Sequence, residues 1–173
     1  MRTEGVLNLL RVVVWIVFIG AIVQAVVAAG LMIAFSLSES LPDLPAPHVG
    51  VLLLLASSTL TVHVLYAQLW QKVKDLLSEM NLSSPFTITV ANKLLAISYV
   101  LLSIWIISFI NKSFNHYLNK RMPEVVNAMG EIGKDLITFN INGAYLLAAG
   151  IVYIIAQVFR RGVELQQENE LTI

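Results

Sequence analysis

Cysteine is absent from this 173-residue sequence. That excludes disulfides, thiolate nucleophiles and cysteine-ligated zinc or iron–sulfur centres together. Charge is scarce: 13% of residues are Asp, Glu, Lys or Arg, against about a quarter in soluble domains. Cations and anions are equal in number, so there is no basic field for direct nucleic-acid binding. No acidic residue falls inside a long apolar run and no basic stripe lies there either, which argues against an Asp/Glu proton relay and a voltage sensor and leaves only a His-based relay open. Nucleophile motifs, Gly-rich phosphate loops and paired catalytic carboxylates are also missing. The expectation is a protein that is not an enzyme and carries no cofactor.

What remains is apolar: 57% of residues are hydrophobic and the mean hydropathy is +0.77. Four runs account for it. The first, "VVVWIVFIGAIVQAVVAAGLMIAFSL", covers residues 12–37. A span needs roughly 20 apolar residues, so this one crosses with tilt to spare. It outlasts the roughly 7–15 residues of a cleaved signal's apolar region, so a retained helix is expected. The second run covers 49–70, with Tyr66 and Trp70 as aromatic anchors at its later end. The third covers 94–110 and the fourth 141–159. Lipid cannot satisfy exposed backbone amides, and no period-two alternation suggests a barrel, so each span must be helical. The fold class is therefore all-α, a polytopic membrane protein of one domain (1–173) built as a four-helix transmembrane bundle.

Orientation follows from Lys and Arg. Placing the termini and middle loop on one side collects Arg2, Arg11, Lys72, Lys74, Lys93, Arg160 and Arg161, against Lys112, Lys120, Arg121 and Lys134 on the other. Both termini are expected in the cytoplasm. The first outer loop, "SESLPDLPAPH", reads as an ordered, non-helical crossing. In the second, Pro123 followed by Val125, Met129, Ile132 and Leu136 predicts a short amphipathic helix. Between the second and third spans, Leu69, Val73, Leu76, Leu77 and Met80 carry an apolar helical face beyond the membrane. "NLSSPF" then interrupts it, with Ser84 as N-cap and Pro85 as first-turn residue of the third helix, and the β-branched "TITV" makes that entry loose.

Polar residues inside the runs are the candidates for function. His63 lies near the centre of the second span, beside Ser57, Ser58, Thr59 and Thr61. Gln24, midway along the first, is its best available partner. Gln24, Thr59 and His63 thus define an intramembrane polar pocket. One reading is a neutral imidazole acting as packing glue, worth about 1 kcal/mol; the other is a proton, ligand or ion site. Haem is disfavoured because His48 and His116 fall in outer segments, and the three histidines lack zinc-ligand spacing. Small residues at Ala21, Ala25 and Ala29, and at Gly143, Ala144, Ala148 and Ala149, permit close helix approach, within the monomer or in a homodimer.

Two stretches, "SPFTITVANKLLAISYVLL" and "FRRGVELQQENELTI", resemble the signatures of a bacterial four-span membrane family, domain of unknown function 2975. Glu170 and Ile173 stand where that family commonly has Asp and Val. The resemblance implies a bacterial cell membrane and no settled activity. It also suggests a cytoplasmic partner, because members are often encoded beside a small helix-turn-helix regulator. The family's recurring positions fall on Pro85, Phe86, Asn92, Gly162, Leu165, Glu168, Asn169, Glu170, Leu171 and Thr172, all on the expected cytoplasmic side. They suit a docking surface or closure of the bundle's inner end equally.

The C-terminal stretch has its own logic. Arg160 and Arg161 snorkel to the inner headgroups beside the lipid bilayer and suit a helix C-terminus. Gly162 is then expected to stop the helix. The acidic tail behind it, with Glu164, Glu168 and Glu170, either meets a basic partner or folds onto its own bundle. The competing functional expectation is sensing or transport of a small molecule or ion through the pocket around Gln24 and His63.

Overall fold

The computed structural model describes residues 2–37, 46–80, 86–123 and 143–170. They form four helices: α1 (Arg2–Ser36), α2 (Ala46–Glu79), α3 (Ile88–Arg121) and α4 (Ala144–Glu170). All four are long and apolar enough to cross a membrane, and no strand occurs among the described residues. The protein is all-α and polytopic. The expected amphipathic helix from Pro123 onward and the cap at Ser84 and Pro85 lie outside the described residues, apart from Pro123 itself.

Every helix overruns the apolar run that announced it. The third span was expected over 94–110, yet α3 is 34 residues long, or about 51 Å at 1.5 Å per residue. Its packing positions explain the extension. Ile104, Ser108, Asn111 and Leu118 are all buried, and their helical spacing continues well past the end of the apolar run at Ile110. Hydropathy alone loses that stripe at Asn111. At the other end α3 opens on "TITV", where Thr87 Oγ1 accepts a hydrogen bond from the Val90 amide at 3.2 Å. Thr87 is therefore the N-cap, and the β-branched stretch expected to loosen the entry supplies its fastening. In α2, Pro47 sits in the first turn, where a missing N–H costs nothing.

Packing falls into two compact units. One comprises residues 1–20, 68–103 and 143–173. Its core is Leu7 and Val14 of α1, Leu69 of α2, Val90, Ala91, Ile97, Val100 and Leu101 of α3, and Ala149 and Ala156 of α4. Buried Ser98 donates to the Ala149 carbonyl at 2.9 Å, tying α3 to α4. The other unit comprises 21–67 and 104–142. Ala21 and Ala28 of α1, Leu55, Thr59 and Val62 of α2, and Ile104, Ser108, Asn111 and Leu118 of α3 are buried there. Ala25 and Ala29 are half-buried beside them, so small residues of α1 serve internal packing. Outward, α1 exposes Ile16, Ile19, Val23, Val26, Val27 and Ile33. Such a surface suits lipid rather than water.

Candidate functional site

The residues singled out by sequence separate into two clusters, one in each unit. In the first, Phe86 precedes α3 and Phe159 lies on α4; their rings meet with centroids 5.1 Å apart. Gly162, one turn beyond Phe159, faces the same ring. A Cβ built there would stand 2.8 Å from Phe86 Cδ1, closer than side-chain carbons tolerate. The missing side chain thus makes room for an aromatic ring. Asn92 completes the junction: Arg160 donates to its Oδ1 at 3.0 Å. Phe86, Asn92, Arg160 and Gly162 therefore converge to join the start of α3 to α4.

Gly162 does not stop the helix. α4 continues through it to Glu170, which corrects the expected break. A glycine costs about 1 kcal/mol inside a helix, too little by itself to end one whose backbone pairing continues to Glu170. Beyond it, Glu164, Leu165, Gln166, Gln167, Glu168 and Asn169 are exposed, while Val163 is half-buried. Arg161 is exposed and pairs with Glu164 at 2.7 Å. Trp70 is half-buried on α2. Pro85, Leu171 and Thr172 lie outside the described residues, and nothing is described of the Glu170 side chain.

Cations also gather on the C-terminal end of α2. Arg11 of α1 donates to the Leu77 carbonyl at 2.9 Å, one of the last four carbonyls that a helix leaves unpaired. From α3, Lys93 donates to the Asp75 carbonyl at 3.0 Å and pairs with Glu79. Both charges complement the negative end of the helix dipole. Lys74 stands 4.8 Å from the Trp15 ring centroid and 4.9 Å from that of Phe18, within cation–π range. Four of the cations counted for orientation are thus structural ties: Arg11, Lys74, Lys93 and Arg160.

The second cluster contains Thr59 and His63, one turn apart on α2. His63 Nδ1 lies 3.0 Å from the Thr59 carbonyl oxygen, so the ring nitrogen donates and carries the proton. Thr59 is buried and His63 half-buried, whereas Gln24 is exposed on α1. The structure brings together two of the three pocket residues. It adds Asn111 of α3, which meets Ser58 at 2.5 Å, and buried Ser108 one turn before it. Asn111 escaped sequence reasoning because it is the first polar residue after an apolar run and so reads as the start of a loop. Its helical spacing from Ile97 and Ile104 was the available signal.

No curated protein and no solved structure matches the chain. A family model described as "Protein of unknown function (DUF2975)" matches residues 32–173, which takes in α2, α3, α4 and both signature stretches. The chain belongs to the DUF2975 family of proteins of unknown function.

Proposed function

We propose that this membrane protein is a docking protein whose α4 extension engages a cytoplasmic partner through an acidic, solvent-exposed helical face. One observation carries the reading. Beyond Gly162 the helix runs on with Glu164 and Glu168 exposed one turn apart, while the Phe86 and Asn92 contacts hold its base to α3. A rigid, anchored helix loses less entropy on binding than a loose tail. The Arg161–Glu164 pair does not hide the face, because exposed ion pairs are worth about 0–1 kcal/mol.

The partner is a basic protein surface. A small helix-turn-helix regulator of the kind often encoded beside members of this family supplies one, since such proteins use Lys and Arg to meet phosphates. Support for a cytoplasmic location comes from the Lys and Arg bias, which favours both termini inside. No catalytic step is required. Sensing or transport at Gln24 and His63 has less support, because Gln24 is exposed on α1.

The test is co-purification of the neighbouring regulator with the full-length protein, with a variant lacking residues 163–173, and with Glu164→Lys/Glu168→Lys. Both variants should lose capture while inserting normally. Undiminished capture by both would overturn the docking role.

A further inference from the structure

Among the described residues, two buried side-chain polar atoms are unsatisfied, one on α2 and one on α3; Ser58, next to Thr59, touches Asn111 across that pair of helices. Thr59 and Asn111 are each 3% exposed, and Thr59 Oγ1 and Asn111 Nδ2 have no hydrogen-bond partner there. Neighbouring hydroxyls behave differently. Ser57, Ser58 and Thr61 all reach back to carbonyls of their own helix at 2.8 Å. Thr59, the buried one, does not.

The Ser58–Asn111 contact sharpens the point. Ser58 has one hydroxyl proton but faces two acceptors, the Leu55 carbonyl at 2.8 Å and Asn111 Oδ1 at 2.5 Å. It cannot donate to both. Turning the Asn111 amide over resolves the conflict: its N–H donates to Ser58 Oγ, and the Ser58 proton goes to Leu55. That exchange leaves Oδ1 unpaired in place of Nδ2. In either arrangement one end of a buried amide lacks a partner, and the residue after Ser58 carries an unpaired, buried hydroxyl. Orphaned groups of this kind carry a large desolvation penalty in a dry interior.

A guest that relieves both atoms must accept from an N–H or donate to a carbonyl, and must also bond a hydroxyl. A hydroxyl group does all of these. Ser58, Thr59, Ser108 and Asn111 carry no charge, so an ionic guest would be left uncompensated in low dielectric. We propose that Thr59 of α2 and Asn111 of α3, flanking the Ser58–Asn111 contact, share one binding site for a small, uncharged hydroxyl-bearing guest, of which water is the smallest. The site is independent of the α4 extension and of any docking there.

Thr59→Val decides the matter by sign. Val has the shape of Thr without the hydroxyl, and the two have similar helix propensity. Were Thr59 Oγ1 a true orphan, its removal would raise the unfolding temperature. With a guest bound, the variant loses a hydrogen bond, and the temperature falls by about 2–4 °C. The measurement uses the full-length protein in lipid nanodiscs, and an unchanged or raised value overturns the site. Two further arms name the source. A cross-relaxation signal between water and the Asn111 side-chain amide identifies water. A rise in unfolding temperature with ethylene glycol, present in wild type and absent in Thr59→Val, identifies a small alcohol. Absence of both signals overturns the proposal even where the variant is destabilised.

Discussion

At the scale of single residues, Gly162 shows how one absence can carry two meanings. Sequence offers a glycine after two arginines, which reads as a helix stop; the structure gives it a ring to accommodate. The difference can be measured by sign. Gly→Ala inside a helix gains about 0.8–1 kcal/mol from propensity, whereas overpacking costs about 1–3 kcal/mol. Gly162→Ala in the wild-type background is expected to be destabilising, by up to about 2 kcal/mol. In a Phe86→Ala background the ring is gone, and the same change should stabilise by roughly 1 kcal/mol. A double-mutant cycle by denaturant unfolding in detergent reads that reversal. Identical effects in both backgrounds would mean that Phe86 does not constrain Gly162. Thr87 supplies a second residue-level expectation: Thr87→Ala removes the α3 cap and should cost about 0.5–2 kcal/mol by denaturant unfolding in detergent, which Thr87→Ser should largely retain.

At the scale of elements, the existence of four spans was legible and their ends were not, for one physical reason. Hydropathy reports which residues tolerate lipid. Helix length reports where backbone pairing and side-chain packing continue, and here they continue into polar sequence. α3 proceeds through Asn111, Lys112 and Asn115 because Leu118 still has a core to enter. It is fully buried at 1% exposure, while its neighbour Tyr117 is 53% exposed. Leu118→Ala should therefore cost about 2–5 kcal/mol, and Tyr117→Ala much less. Equal, small losses would return residues 111–121 to a loop. The same distinction explains the candidate sites. Thr59 and His63 stood out because they interrupt an apolar run, and Phe86, Asn92 and Gly162 through a family signature. Asn111 and Ser108 were hard to read, since their importance lies in burial and, for Asn111, in meeting Ser58 of α2, which the fold reveals.

At the scale of the whole molecule, the question is which way the chain is threaded. Four crossings would return the C-terminus to the side of the N-terminus, and the Lys and Arg bias predicts both inside. The cations on that side are not all free to act as topological signals: Arg11, Lys93 and Arg160 hold helices together in the folded state. Insertion precedes that packing, so their charge still counts when orientation is decided. The absence of cysteine makes the chain its own background for labelling, because a single introduced thiol is the only reactive one. Asn119 on α3 and Gln166 on α4 are both exposed, and one span separates them. In intact cells a membrane-impermeant maleimide should label Asn119→Cys and spare Gln166→Cys, which should react only after the membrane is permeabilised. The reverse pattern would invert the topology and remove the cytoplasmic docking face. Labelling of both from one side would mean that α4 does not cross, since residues 119 and 166 can face opposite solutions only if it does.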